Sequence, residues 1–115
     1  MSRRFDVYVE EGRRTLAYLS RYRELAEVVK DVVKKYCPDA EVYVFGSVLT
    51  GRYTASSDID VLVVYRRMNE ELKYKILVDV RKEVGMDAPL EVHFSTRREF
   101  LGWYSRFIER CELVR

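Results

Sequence analysis

The sequence is short of the residues that mark several classes of protein. Its 115 residues include two cysteines, one histidine and two prolines. Cys37 and Cys111 are far apart and form no Cys-x-x-Cys pair, so free thiols are expected rather than a disulfide or a zinc site. No apolar run reaches the roughly 20 residues that cross a bilayer, and Arg3-Arg4 is not followed by a signal-peptide core. These absences favour a cytoplasmic protein with no membrane partner.

Amide side chains are almost missing as well. Asn69 is the single asparagine, there is no glutamine, and charged residues make up 35% of the chain. Dense charge with few thermolabile amides is typical of proteins from thermophiles. The net charge of +2 is too small to indicate a nucleic-acid surface, so a nucleic-acid partner is not expected.

Length and apolar content predict one globular domain over residues 1–115. Residues 5–12 fit either a strand or a helix, and we favour the helix because its apolar spacing continues into the next segment. The predicted elements are a helix over about 13–36, a strand at 41–45, a short helix at 47–53, a strand at 59–65, a helix over about 69–85, a strand at 90–94, and a last helix from 96 that includes Cys111.

This order defines an α/β (α+β) fold with a mixed three-stranded core sheet. The short 47–57 connection allows the first two strands to be antiparallel neighbours. The helix over about 69–85 serves as a crossover, so the second and third strands should be parallel.

Two carboxylates open the second strand. Asp58 and Asp60 are two residues apart, and side chains at that spacing point to the same face of a strand. Like charges held so close repel, and burial without a partner would add to the cost. Carboxylate oxygens suit a hard divalent cation such as Mg²⁺, which would relieve the repulsion. The pair therefore predicts a metal site.

Gly46-Ser47 ends the first strand and supplies a second type of group. Glycine lets the backbone approach a ligand closely, and Ser47 adds a hydroxyl and free backbone N–H groups. The arrangement favours a phosphate cradle beside a metal site, hence nucleotide chemistry. The alternative is an ordinary turn at Gly46-Ser47, with Asp58 as a cap and Asp60 as a solvated edge residue.

The joint pattern resembles a known signature. Gly46-Ser47, ten intervening residues and then Asp58-Ile59-Asp60 are similar to the motif of the nucleotidyltransferase superfamily related to DNA polymerase beta. Gly51 and Ser57 match the version in the small prokaryotic members, the minimal nucleotidyltransferases. The motif covers fifteen residues, and the compatible element order covers most of the chain.

A third carboxylate is expected beside the first two. Parallel second and third strands bring their starts together, and Glu91 is the second residue of the third strand, on its polar face. The resemblance implies that Asp58, Asp60 and Glu91 hold two Mg²⁺ ions. It further implies that Gly46 and Ser47 bind the phosphates of ATP and that Glu91 helps to activate a hydroxyl acceptor. A solvent-facing Glu91 without a role is the alternative.

The resemblance also implies a partner. Small members commonly act beside a helical partner protein encoded with them, as the antitoxin of a toxin–antitoxin pair. Trp103, Tyr104, Phe107 and Ile108 exceed what one helix can bury against a small sheet, so this region and the first helix are predicted contacts with such a partner or with a second copy. Burial of these aromatics under the N-terminal helix is the alternative.

Other interpretations stay open at this point. The fold could serve as a non-catalytic nucleotide-binding or partner-binding module. His93 shares a face with Glu91, but a lone histidine beside a sheet is more often packed or hydrogen-bonded. Arg52 could touch a phosphate or be solvated, and Tyr53 could stack on a base or pack locally.

Overall fold

The computed structural model describes residues 3–107 and 110–115, with the backbone alone at positions 104, 105 and 107. Helices and strands alternate through most of this range, as the sequence predicts. The elements are α1 Arg3–Ser20, α2 Tyr22–Tyr36, β1 Glu41–Phe45, α3 Ser47–Thr50, β2 Ile59–Tyr65, α4 Glu70–Val84, β3 Leu90–Thr96, α5 Arg97–Phe107 and β4 Cys111–Leu113.

The strands form one mixed sheet in the order β3-β2-β1-β4. β2 runs antiparallel to β1 and parallel to β3, which confirms the predicted pairing. The predicted number of strands was wrong, because β4 adds a fourth and pairs antiparallel with the other edge of β1. Cys111 lies in β4 and not in the last helix, since α5 ends at Phe107. A three-residue strand is too short to show an alternating pattern.

The predicted long helix over 13–36 is also corrected, because it is two helices. The chain leaves helical geometry at Arg21 (φ −112°, ψ 31°), between α1 and α2. Neither glycine nor proline marks this break, and the apolar stripe passes from Leu19 to Tyr22 without interruption. Residues 5–12 are helical, as favoured. The short helix α3 ends earlier than predicted, at Thr50, because Gly51 adopts the left-handed conformation (φ 72°).

The two faces of the sheet are covered differently. α2 and α4 pack on one face, where the main core includes Val33, Val63 and Ile76. On the opposite face, Phe100 and Trp103 of α5 pack against a smaller cluster around Leu62 and Val64. The part of this second face near the start of β2 is left open for polar residues. In the part of the chain that the structure describes, no helix combines the length and apolarity needed to cross a membrane.

The crossover between β2 and β3 is held by specific polar contacts. Asn69 caps α4, since its side chain accepts a hydrogen bond from the amide of Leu72 (2.8 Å). At the other end of α4, the Arg81 guanidinium donates to the carbonyl oxygens of Gly85, Ala88 and Leu90. These bonds fix the chain that enters β3 and therefore the position of Glu91.

Candidate active site

The predicted site residues converge where β1 ends and where β2 and β3 begin. In the sheet register, Asp60 of β2 is paired with Phe45 of β1 on one side and with Glu91 of β3 on the other. The amide of Ile59 donates to the carbonyl of Pro89 (2.7 Å), which ties the starts of the two parallel strands together. The structure thus brings Gly46, Asp60 and Glu91 to one place.

Asp60 is the least exposed carboxylate of the group, with 25% of its side chain accessible. Burial raises the pKa of Asp60 above its ordinary value of 3.8. The charges of Glu91 and Asp58 raise the pKa further, whereas the hydrogen bond and charge of His93 lower it. The ionised form of the Asp60 carboxyl group is therefore disfavoured by its burial, and a bound cation would offset this cost.

Two side chains of β3 lie against Asp60. The Nε2 atom of His93 is 3.4 Å from Oδ1 of Asp60 and 3.8 Å from Oε1 of Glu91. One ligand atom from each of these three residues lies within 4.8 Å of the others. The sequence showed that His93 shares a face with Glu91, but not that it contacts Asp60. That contact depends on the register between β2 and β3, which no local signal in the sequence fixes.

Asp58 stands at the entrance to this cluster. It precedes β2 and is exposed, and its carboxylate is not part of the tight group formed by Asp60, Glu91 and His93 among the described residues. Its charge is close enough to raise the pKa of Asp60. The structure thus places the predicted carboxylates as a partly buried centre at Asp60, flanked by the more exposed Asp58 and Glu91.

Because Gly46 has no side chain, the Asp60 carboxylate can occupy the space beside it. The backbone of Gly46 has φ 90° and ψ −164°, a conformation almost confined to glycine. A Cβ atom at this position would lie 2.7 Å from Oδ2 of Asp60, which is shorter than any normal contact. Ser47 follows as the first residue of α3 and is exposed, while Val48 is buried and anchors this turn. The missing side chain at Gly46 therefore makes room for the Asp60 carboxylate, and it would also let a ligand approach the backbone.

The loop before Asp58 is folded on itself. The amide of Thr54 donates to Oγ of Ser57, and the amide of Ser57 donates to the carbonyl of Thr54, both at 3.0 Å. Arg52 is exposed, and its contact with a phosphate stays a prediction. Tyr53 is half-buried and packs against the main core, so local packing accounts for this residue.

A cleft of about 430 Å³ opens beside the carboxylates, between the sheet and α5. His93 belongs both to this cleft and to the carboxylate cluster, so the cleft adjoins the cluster at this residue. Another cleft, of about 540 Å³, lies between α2 and β4 and is lined by none of the predicted site residues. The residues that line the first cleft are Phe45, Leu62, His93, Ser95, Glu99 and Trp103.

The donor set at this site fits a divalent cation. It offers oxygen atoms from Asp58, Asp60 and Glu91, which are the ligands that Mg²⁺ prefers. Burial is the main cause of the raised pKa of Asp60, the charges of Glu91 and Asp58 add to it, and a bound cation would offset both effects. Because Gly46 carries no Cβ atom, Oδ2 of Asp60 has room beside the backbone at this position.

Comparisons with known proteins agree with this arrangement. Residues 23–113 match the nucleotidyltransferase domain family, and this chain belongs to that family. A crystal structure provisionally described as a nucleotidyltransferase has a TM-score of 0.59 and 32% identity, covering 76% of this chain and 94% of its own. A second, from Sulfolobus solfataricus, has a TM-score of 0.48 and 25% identity, covering 86% of this chain and 84% of its own.

One curated relative is a large protein. A poly(A) RNA polymerase of Cryptococcus neoformans var. neoformans serotype D is 30% identical over an alignment of 84 residues, and the alignment covers 67% of this chain. The match spans only 11% of that relative's length. The match to the family over residues 23–113 establishes the family, and the crystal structure with a TM-score of 0.59 shows the nucleotidyltransferase fold, in agreement with the resemblance seen in the sequence.

We expect Asp60→Asn to stabilise the metal-free protein at neutral pH. Because the pKa of Asp60 is raised on folding, the folded protein binds this proton more tightly than the unfolded chain does. The free energy of unfolding should therefore fall as the pH rises from about 3.8 through the raised pKa. The Asp60→Asn variant does not lose stability in this way. Its free energy of unfolding should therefore exceed that of the wild type at pH 7, and the difference should vanish as the pH approaches 3.8.

Urea denaturation in the presence of a chelator measures this difference across the pH range. Asp58→Asn is the matched control, and its effect should be smaller because Asp58 is exposed. An Asp60→Asn protein that is less stable than the wild type at pH 7 would contradict the electrostatic description of the site.

Proposed function

We propose that this protein is an enzyme that transfers a nucleoside monophosphate, AMP from ATP, to a hydroxyl acceptor in a Mg²⁺-dependent reaction. One observation carries the proposal. In a chain of the nucleotidyltransferase family, Asp60 is paired in register with Glu91, and the glycine before Ser47 is shaped around the Asp60 carboxylate. Asp58, Asp60 and Glu91 are the residues that would hold the metal, with two ions expected.

The bound cations would supply charge neutralisation at the α-phosphate. The backbone at Gly46 and the hydroxyl of Ser47 bind the β- and γ-phosphates and orient the triphosphate. Glu91 is exposed and accepts the proton of the acceptor hydroxyl. The hydroxyl oxygen bonds to the α-phosphorus, the bond between that phosphorus and the oxygen shared with the β-phosphorus breaks, and pyrophosphate leaves. Positioning and electrostatics provide the catalysis, without a covalent enzyme intermediate.

The acceptor is proposed to be a partner protein, with an antitoxin role in a toxin–antitoxin pair and a location in the cytoplasm. The apolar side chains on α1 support a partner or a second copy, because Phe5, Val7 and Tyr8 are exposed. Trp103 is half-buried and packs against Phe45 of β1 and Phe100 of α5. The predicted contacts at Ile108 and at the side chains of Tyr104 and Phe107 lie outside the described residues.

Two other functions are weaker candidates. An RNA 3′ hydroxyl is suggested as acceptor by the relative named for poly(A) synthesis, but the net charge of +2 does not favour a nucleic-acid surface. A non-catalytic nucleotide-binding or partner-binding module could keep the fold without the three carboxylates of the site. This chain has all three, namely Asp58, Asp60 and Glu91.

Mg²⁺-dependent ATP binding and label transfer test the proposal. We expect the wild type to bind ATP only with Mg²⁺ present and to move label from α-labelled ATP to protein, whereas Asp58→Asn and Asp60→Asn should lose both properties. Asp31→Asn, an exposed aspartate on α2, is the control and should behave as the wild type. Equal ATP binding by all four proteins would overturn the assignment of the site.

The role of Gly46 is tested against a second glycine of the same loop. Gly46→Ala and Gly51→Ala both place a side chain at positive φ, which should cost roughly 1 kcal/mol of folding free energy at Gly51 and more at Gly46, where the new Cβ also meets Asp60. Only at Gly46 would the new Cβ press on Asp60, since nothing lies within 4 Å at Gly51. ATP affinity with Mg²⁺ should therefore fall in Gly46→Ala alone. Calorimetric titration measures the affinity, and circular dichroism confirms folding.

Equal losses of ATP affinity in the two variants would show that backbone strain is responsible. Unchanged ATP affinity in a folded Gly46→Ala protein would remove two roles of Gly46 from the proposal, namely phosphate binding by its backbone and the room that it leaves for the Asp60 carboxylate.

A further inference from the structure

His93 occupies a place that the three-carboxylate description does not use. It follows Glu91 by two residues on β3, so both side chains stand on the open face of the sheet. Its Cα is paired with Leu62, and its ring extends from there to the Asp60 carboxylate. With 39% of its side chain accessible, the ring is available to a ligand that enters the site.

The distances around the His93 ring suit a shared cation. Two donor atoms that each bind one ion at about 2.1 Å are separated by roughly 3.0 to 4.2 Å, depending on the angle between them. The Nε2 atom of His93 lies 3.4 Å from Oδ1 of Asp60 and 3.8 Å from Oε1 of Glu91. Both separations fall in this interval, so one ion can contact His93 together with either carboxylate. The ligand atoms of all three residues lie within 4.8 Å of one another, so a small adjustment of the side chains would let one ion contact all three.

The ring is held in this position by packing. The centroids of the Phe45 and His93 rings are 5.4 Å apart, with the planes at 54°. Phe45 is itself fixed by the sheet register and by an edge contact with Trp103 at 5.5 Å. The Nε2 atom is therefore kept at the carboxylates, which lowers the entropic cost of using it as a ligand.

The chemistry of an imidazole nitrogen differs from that of an oxygen donor. Mg²⁺ strongly prefers oxygen, whereas Mn²⁺ and the later divalent metals bind imidazole more readily. In the metal-free protein, Nε2–H can donate to Asp60. When Nε2 binds a cation, that proton must instead reside on Nδ1, so the hydrogen bond and the metal bond exclude each other.

We propose that His93 is a direct ligand of the cation at Asp60 and Glu91, and that it biases this centre toward Mn²⁺ relative to Mg²⁺. This inference rests on the metal site of the proposed function and adds a nitrogen donor to it. The consequence is a centre that works with either ion but retains Mn²⁺ more tightly than an all-oxygen site would.

Pulsed electron paramagnetic resonance of the Mn²⁺-loaded protein tests the contact directly. His93 is the only histidine in the sequence, so protein prepared without a histidine tag has one imidazole that can couple to the metal. We expect a ¹⁴N coupling typical of imidazole in the wild type and its loss in His93→Phe. That variant keeps an aromatic ring against Phe45 and has no donor atom.

Calorimetric titration with MnCl₂ and MgCl₂ provides the second readout. His93→Phe should lower Mn²⁺ affinity roughly tenfold or more, the least that the loss of a supporting residue costs at a metal site, with a change of less than about threefold for Mg²⁺. His93→Asp makes the donor set all oxygen and should shift the preference back toward Mg²⁺. Circular dichroism confirms that each variant is folded.

The outcomes separate this inference from the proposed function. If Asp60→Asn abolishes Mn²⁺ binding while His93→Phe leaves it unchanged and no nitrogen coupling is seen, His93 is not a ligand and the nucleotidyltransferase proposal stands. If neither ion binds the wild type even with ATP present, both proposals are overturned.

Discussion

The parallel pairing of β2 with β3 is the constraint on which the site depends. It sets Glu91 opposite Asp60, and the bond from the Ile59 amide to the Pro89 carbonyl fixes the register at the first residue of β2. A slip of one residue would turn Glu91 and His93 into the core face and expose the apolar side chains of β3. Arg81 holds the chain just before this pairing begins, so the crossover helix contributes to the geometry of a site that it does not touch.

Electrostatic cost and function are joined at Asp60. A half-buried carboxylate with two like charges nearby is unfavourable for the metal-free fold, and the raised pKa of Asp60 expresses this. The apolar face of the same strand, including Ile59 and Val61, supplies burial that offsets the cost. Gly46 adds a second constraint, because its positive φ and the nearby carboxylate leave no room for a side chain at this position. Local instability of this kind is common where a protein must bind a charged ligand.

The central part of the fold follows from the sequence, whereas its edges do not. The bounds of β1 and β2 are predictable because β1 is an apolar run that stops before Gly46 and β2 is an apolar run that starts after Asp58. The cap at Asn69 is predictable from side-chain chemistry alone. The strand β4 forms through pairing with a distant edge, and the break at Arg21 has no glycine or proline to announce it. Long-range register likewise decides that His93 meets Asp60, a contact that a local pattern could not reveal.

A crystal structure with Mg²⁺ and a non-hydrolysable ATP analogue tests the central claim most directly, namely that this end of the sheet binds a metal–triphosphate complex. The β- and γ-phosphates should lie against the backbone of Gly46 and Ser47, with the α-phosphate facing Asp60 and a cation between them. A triphosphate bound instead in the cleft between α2 and β4, with the carboxylates free of metal, would contradict the claim.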